Sequence, residues 1–161
     1  YTNRPAFLDS VDKWSKLIKG TCPGAAVYLY QTWSYKEGSG LLLETITDTD
    51  YTGFYEGLKA GYEEAARIAG ASVVPVGTVF YRISRELPQI ELFAQDNYHP
   101  SPCGSLAAAM TFYRYIIKGS PEPGTDVPDP MIPVIAVPGL PAADDVSRDE
   151  AAAIAQLISS I

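Results

Sequence analysis

The chain has 161 residues, of which 47% are hydrophobic and 19% are charged, a composition that is typical of a globular domain and excludes a disordered or fibrous protein. Its formal net charge is -7 and its basic residues form no run, which argues against nucleic acid as a partner because an acidic surface repels phosphates. No stretch approaches the roughly 20 apolar residues of a membrane-spanning helix, so no membrane partner is predicted.

The first third of the chain predicts one helix and one strand. A helix is expected over residues 6–19, closed by Gly20, since apolar residues recur at helical spacing at Phe7, Leu8, Val11, Trp14, Leu17 and Ile18. Residues 25–30 form a short apolar run with aromatic and β-branched side chains, which predicts a strand buried on both faces. Residues 35–50 contain Gly, Ser and Thr without a clear period and are predicted to be a loop.

The middle of the chain repeats this order. Residues 51–69 have the pattern of a long amphipathic helix, which Gly70 is expected to end. Residues 71–76 predict a second buried strand, and a short helix is expected over residues 79–87, before Pro88.

The last third predicts two more helices. Pro102 fits the first turn of a helix over residues 102–117, because that position needs no amide donor. Residues 119–141 are rich in Pro and Gly and are predicted to wrap the surface. The tail, residues 147–161, predicts a final helix that begins with a Ser147–Glu150 capping box.

Alternating helices and strands predict an α/β fold with a parallel sheet covered by helices. Only two strands are visible, and a parallel sheet of two strands has too few neighbours to form an open α/β domain. The sequence also begins at Tyr1 without an initiator Met or a signal peptide. We therefore expect further strands to precede Tyr1, on residues removed by processing or truncation or otherwise absent from this sequence.

The segment Asp-Asn-Tyr-His-Pro at residues 96–100 carries the clearest chemical signal. His99 is the only histidine and lies just before a predicted helix, where open α/β sheets place their active sites. Asp96, three residues earlier, can accept the Nδ1 proton of His99 and leave Nε2 free as a base. The alternative is that Asp96 forms an Asx turn and His99 is an ordinary surface or packing residue.

This motif resembles the last conserved block of the SGNH (GDSL-like) serine hydrolases, in which the Asp and His belong to a Ser-His-Asp triad. Other segments resemble a bacterial-type branch of that superfamily in the same order, over about residues 1–120: residues 27–33, 73–77, 99–101 and 104–108. The resemblance implies a flavodoxin-like three-layer sandwich with a parallel sheet. It also implies that Asp96 and His99 are catalytic.

The chain departs from the family where the nucleophile is expected. No Gly-(Asp/Asn)-Ser segment occurs, Asp9-Ser10 lies within a predicted helix, and residues 38–40 lack a nucleophile elbow. Residues 1–161 are therefore interpreted as the C-terminal part of a single hydrolase domain. We expect the serine and most of the oxyanion hole on an N-terminal fragment or a second chain.

The resemblance implies that the protein hydrolyses carbohydrate O-acetyl esters or short acyl esters. It also implies that the protein is secreted, as members of the family often are, and that it needs no metal or organic cofactor. A different hypothesis is a non-catalytic structural or binding subunit of the same fold, which the missing serine motif favours. A flavodoxin-like binding module is a third, less favoured, hypothesis, because no Gly-rich phosphate loop follows a strand.

Five further residues are candidates with two readings each. Trp33 either lines a substrate cleft or packs on the sheet edge, and Gln31 either contacts a substrate hydroxyl or anchors a loop. Tyr98 either shapes the pocket beside His99 or is simply half-buried. Cys22 and Cys103 lack metal-site spacing and either form a disulfide or are two buried thiols, and nothing suggests that Cys103 is a nucleophile.

Overall fold

A computed structural model describes residues 3–45, 49–117 and 146–161. Its elements are α1 (Arg4–Thr21), β1 (Tyr28–Tyr30), α2 (Gly40–Thr45), α3 (Tyr51–Ala69), β2 (Ser72–Val74), α4 (Val76–Glu86), α5 (Pro102–Phe112), a π-helical segment (Tyr113–Ile117) and α6 (Arg148–Ser159). The predicted surface wrap over residues 119–141 lies outside the described residues. None of the helices in the described ranges is both long and apolar enough to cross a membrane.

The two strands form a parallel sheet, as predicted. Tyr28, Leu29 and Tyr30 of β1 pair with Ser72, Val73 and Val74 of β2. The connection between the strands contains α2 and α3, and α3 packs against both strands. The fold is thus a mixed arrangement of helices around a parallel pair of strands.

The prediction that β1 is buried on both faces is wrong. Tyr28 and Tyr30 are 38% and 42% exposed, whereas Val74 on β2 is completely buried. In the described part of the chain, each strand pairs with a single neighbour. Burial of a parallel strand depends on helices that cover both faces of the sheet, and in the described part of the chain they leave Tyr28 and Tyr30 partly open to solvent.

The helix α1 packs beside α3 and leaves an apolar stripe uncovered. Its start is held by the Arg4 guanidinium, which bonds the Glu64 carboxylate at 3.0 Å through Nε, and by Phe7, whose ring lies 5.1 Å from that of Tyr62. The predicted apolar stripe of this helix does not all face the core, because three of its members are exposed: Trp14, Leu17 and Ile18.

The main core forms around α4. This helix packs against α5 and α6, and its buried residues share one cluster with both: Val76, Val79, Phe80, Ile83, Cys103, Ala107, Met110, Ile154, Ala155, Leu157 and Ile158. The helix begins at Val76, earlier than predicted, because β2 ends at Val74 and Pro75, with no N–H, cannot extend the ladder. The Pro75 carbonyl instead accepts the first helical bond from Val79.

Gly77 allows α4 to approach β1 closely. Its amide donates to the Gln31 carbonyl at 2.9 Å, and a Cβ at this position would lie 2.1 Å from the Thr32 carbonyl oxygen. A side chain cannot be accommodated there without moving the backbone. The end of β1 is therefore locked to the first turn of α4.

The remaining predictions of element bounds are partly wrong and partly confirmed. Gly20 was expected to end the first helix, but α1 continues through Gly20 to Thr21. The predicted loop over residues 35–50 contains the short helix α2, started by the Ser39 hydroxyl, which accepts from the Leu42 amide. The single helix predicted over residues 102–117 changes to π-helical geometry after Phe112. The left-handed Gly70 that ends α3 and the Ser147–Glu150 capping box of α6 are both confirmed.

Substituting Gly77→Ala should destabilise the protein by about 2 kcal/mol or more, because the added methyl group overlaps the Thr32 carbonyl. Gly20→Ala is the matched control, since Gly20 lies in α1 with nothing within 4 Å of an added Cβ. That control should be neutral or stabilising by about 0.5–1 kcal/mol. Urea unfolding of both variants measures the difference, and equal midpoints would contradict the close approach.

Candidate functional site

The loop between α4 and α5 is closed by its own backbone. Phe93 and Pro100 form an antiparallel bridge, and the Ala94 amide donates to the His99 carbonyl at 2.8 Å. Asn97 adopts a left-handed conformation with φ of 59°, a region that Asn enters more readily than most residues. The backbone thus reverses direction between Asp96 and His99.

The Asp96 carboxylate binds three donors inside this turn. Its Oδ1 accepts the amides of Tyr98 and His99 at 3.0 and 2.9 Å, and its Oδ2 lies 2.6 Å from His99 Nδ1. The hydrogen bond to His99, followed by those to the two amides, lowers the pKa of Asp96 to about 2. The Asx turn and the Asp–His pair, posed as alternatives on sequence, are therefore present together.

An ionised Asp96 favours the His99 tautomer with a proton on Nδ1, which leaves Nε2 unprotonated and able to accept a proton. The His99 side chain is 68% exposed and that of Asp96 is 50% exposed. Among the described residues, Asp96 is the only side chain hydrogen-bonded to the His99 ring. The pair can act as a base toward a group that reaches it from the solvent side.

Trp33 connects this loop to the core. Its Nε1 donates to the Tyr98 carbonyl at 3.1 Å, and its indole stacks on Phe80 of α4 at 4.5 Å with an interplanar angle of 8°. A second hydrogen bond to the loop is donated by the Lys36 amide to the Asn97 carbonyl at 3.2 Å. Trp33 therefore lies between the core and the loop. Its contacts favour the packing role over the lining of an open cleft.

Gln31 is 1% exposed and lies inside the fold. Its Oε1 accepts from the Thr78 hydroxyl at 3.0 Å, and that hydroxyl accepts from Tyr55 at 3.3 Å. Its Nε2 is buried without a protein partner among the described residues. Burial against α4 favours the anchoring role for Gln31 and speaks against direct contact with a substrate hydroxyl.

Tyr98 is 46% exposed and lies beside the imidazole. Its ring meets that of His99 edge-on with 4.7 Å between the ring centroids, and the ring centroid of Tyr35 lies 5.3 Å away. Tyr98 was predicted from the sequence as a candidate, whereas Tyr35 was not. The position of Tyr35 two residues beyond Trp33, in the segment that follows β1, was the available signal.

The disulfide between Cys22 and Cys103 is not formed. Both cysteines are free, Cys22 is exposed at the end of α1, and Cys103 is buried in the first turn of α5. Burial, with a further contribution from Glu150, raises the pKa of Cys103 to about 11. Cys103 is therefore a thiol at neutral pH and unsuited to nucleophilic attack.

No group of three or more His, Cys, Asp or Glu side chains in the described ranges is arranged to hold a metal ion. The chain was also compared with family models, curated proteins and solved structures, and none of them matches it.

The low pKa of Asp96 predicts how the loop responds to acid. Since the folded pKa of about 2 lies below the ordinary 3.8, the carboxylate stabilises the turn fully above pH 3.8, and this contribution is lost as the pH falls through 2. Carbon-13 NMR of the Asp96 carboxyl group should show a midpoint near pH 2. Asp96→Asn should remove the titration and the Nδ1–H preference of His99, and a midpoint near 3.8 would contradict the pairing.

Proposed function

We propose that the chain is the Asp–His part of an SGNH-type serine esterase with a flavodoxin-like three-layer fold, whose nucleophilic serine lies on an N-terminal segment or on a second chain. The observation that carries this proposal is the 2.6 Å pairing of Asp96 with His99 Nδ1 on an exposed turn before α5. The substrates are carbohydrate O-acetyl or short acyl esters.

In this mechanism His99 Nε2 takes the proton of the serine hydroxyl as its oxygen attacks the ester carbonyl carbon. The resulting imidazolium is stabilised by Asp96, which stays ionised because its pKa is about 2. Collapse of the tetrahedral intermediate expels the alcohol, which takes the proton from His99, and leaves an acyl-serine. Water then attacks the acyl-serine, again with His99 as base, and regenerates the serine with release of the carboxylic acid.

The free edge of β1 supports a partner that adds a strand. In a parallel strand, every second residue directs its backbone N–H and C=O groups to the neighbour on one side, and the residues between them direct theirs to the other side. Two residues that flank β1 bond to β2: the Val27 carbonyl accepts from the Ser72 amide, and the Gln31 amide donates to the Val74 carbonyl, both at 3.0 Å. The backbone groups of Tyr28 and Tyr30 therefore point away from β2, along an edge that is open in the described part of the chain.

The helix α1 is connected to the end of β1 through Tyr62 of α3. Burial raises the pKa of Tyr62 on α3, and the Thr32 backbone at the end of β1 hydrogen-bonds to it. The start of α1 packs on the same Tyr62 ring through Phe7. Further along α1, Trp14, Leu17 and Ile18 are exposed and form a second apolar surface that a partner segment could cover.

The direction of such a strand matters for the chemistry. Carboxyl ends of parallel strands meet at one edge of a sheet, and β1 ends beside Trp33, which supports the Asp96–His99 turn. A residue that follows an added parallel strand would therefore reach the same side of the molecule as His99. This geometry supports a serine supplied by the partner segment.

A non-catalytic structural or binding subunit of the same fold is the second candidate. It is favoured by the absence of a hydroxyl or thiol bonded to His99 within the described residues. Secretion remains a prediction, and the free cysteines lend it no support.

The esterase proposal is tested on the native assembly with a fluorophosphonate probe and p-nitrophenyl acetate. The probe should label a serine on an accompanying polypeptide and not on this chain, and His99→Ala should slow labelling and hydrolysis by about 10³-fold or more. Asp96→Asn should also slow both reactions strongly, because the imidazolium loses its carboxylate partner. Asp9→Asn, at an exposed aspartate on α1, is the matched control and should retain full activity. An assembly with neither labelling nor hydrolysis would leave the binding-subunit alternative.

Docking on β1 is tested with Tyr28→Pro. Proline removes the amide donor that a partner strand would use, while the bonds from Val27 and Gln31 to β2 remain. We expect the variant to keep its far-ultraviolet circular dichroism but to lose co-purification with the serine-bearing polypeptide, whereas Tyr28→Phe should retain it. Undiminished association of the folded proline variant would show that the partner binds elsewhere.

A further inference from the structure

A charged side chain occupies the buried face of α5, where the helical pattern calls for an apolar one. Met110 and Thr111 are buried on this face, and Arg114, one turn later in the π-helical segment, is only 4% exposed. Turns of π-helix occur often at functional sites. This one lies at the C-terminal end of α5, roughly 18 Å along the helix axis from the residues that follow the Asp96–His99 turn.

The guanidinium of Arg114 has few acceptors. Its Nη2 donates to the Ser159 carbonyl at 3.3 Å, in the last turn of α6. Its Nε and Nη1 are buried without a hydrogen-bond partner among the described residues, and no carboxylate in these ranges forms an ion pair with it. Because Nε carries one hydrogen and Nη1 carries two, several donors of a permanently charged group are left unused.

Burial of an unpaired cation opposes folding. Arginine is almost never fully buried without a partner, since a charge inside a protein loses its hydration. The C-terminal end of α6 offsets part of this cost, because partial negative charge collects at the last carbonyls of a helix. One carbonyl at 3.3 Å nevertheless satisfies a single donor. An acceptor that carries a full negative charge would satisfy the remaining donors and neutralise the guanidinium.

The neighbouring arginine determines how much charge such an acceptor meets. Arg82 reaches the same turn of α6, where its Nη1 donates to Ser160 Oγ at 3.1 Å. Its Nε and Nη2 already bind the two carboxylate oxygens of Glu86, at 2.6 and 2.9 Å. Among the described residues, the acceptor therefore meets one uncompensated positive charge, that of Arg114. A carboxylate neutralises one charge, whereas a phosphate would leave excess negative charge in a buried place.

We propose that Arg114 binds a small carboxylate ligand beside the last turn of α6. The carboxylate oxygens accept hydrogen bonds from guanidinium donors that the described residues leave unused, and the bond to the Ser159 carbonyl keeps the guanidinium in place. This site uses neither His99 nor the edge of β1, so it is independent of the proposed esterase function.

The test is the thermal stability of the full chain at pH 7 and constant ionic strength, with sodium acetate replacing sodium chloride stepwise. We expect a saturable rise in Tm of about 4 °C once acetate exceeds its Kd roughly tenfold, because the ligand binds only the folded state. The rise should vanish in Arg114→Met and persist in Arg82→Met, whose parent guanidinium is already paired with Glu86. Sodium phosphate at the same ionic strength should give a smaller rise.

A second measurement keeps the test decisive if Arg114→Met fails to fold. The Nε–Hε NMR signal of Arg114 in the parent chain should shift on titration with acetate and saturate at the same concentration as Tm. An unchanged signal, or an equal acetate effect in parent and folded Arg114→Met, overturns the site. A larger effect of phosphate overturns the carboxylate assignment. His99→Ala should leave the acetate effect unchanged, and its loss in that variant would place acetate at the Asp–His turn instead.

Discussion

The Asp96 carboxylate accepts three hydrogen bonds from residues within its own turn, and the geometry of the candidate site depends on them. Two of these bonds fold the backbone and the third orients the imidazole, so the element that shapes the loop also sets the tautomer of the base. The carboxylate is half exposed, and its hydrogen bonds lower its pKa and keep it ionised.

The position of this turn relative to the sheet follows from one close contact. Gly77 brings the first turn of α4 against the end of β1, and Phe80, one turn further along α4, stacks on Trp33. Trp33 in turn bonds to the Tyr98 carbonyl. A continuous path of packed groups therefore runs from the parallel strands through α4 to the Asp–His pair, and such support fixes the position of the turn that carries the pair.

Local signals in the sequence predicted much of this arrangement, and failures came where tertiary context decides. Gly70, the Ser147–Glu150 box and the Asp96–His99 pair are each specified within a few residues, so the sequence alone was sufficient for them. The helix α2 is too short to show a period, and burial of β1 depends on neighbours that composition does not report. Whether Cys22 and Cys103 pair, which the sequence left open, depends likewise on distances across the fold, and both are free in the structure.

The edge of β1, which is open in the described part of the chain, and the exposed apolar residues of α1 also affect how the chain behaves in solution. A strand edge without a neighbour, such as that of Tyr28 and Tyr30 among the described residues, is a template for pairing with any extended chain, including another copy of this one. A net charge of -7 opposes such encounters by mutual repulsion, which salt weakens. The solubility of the isolated chain therefore depends on two opposing effects, strand pairing at the edge of β1 and repulsion between acidic surfaces. Because salt screens the repulsion, we expect aggregation to increase with ionic strength.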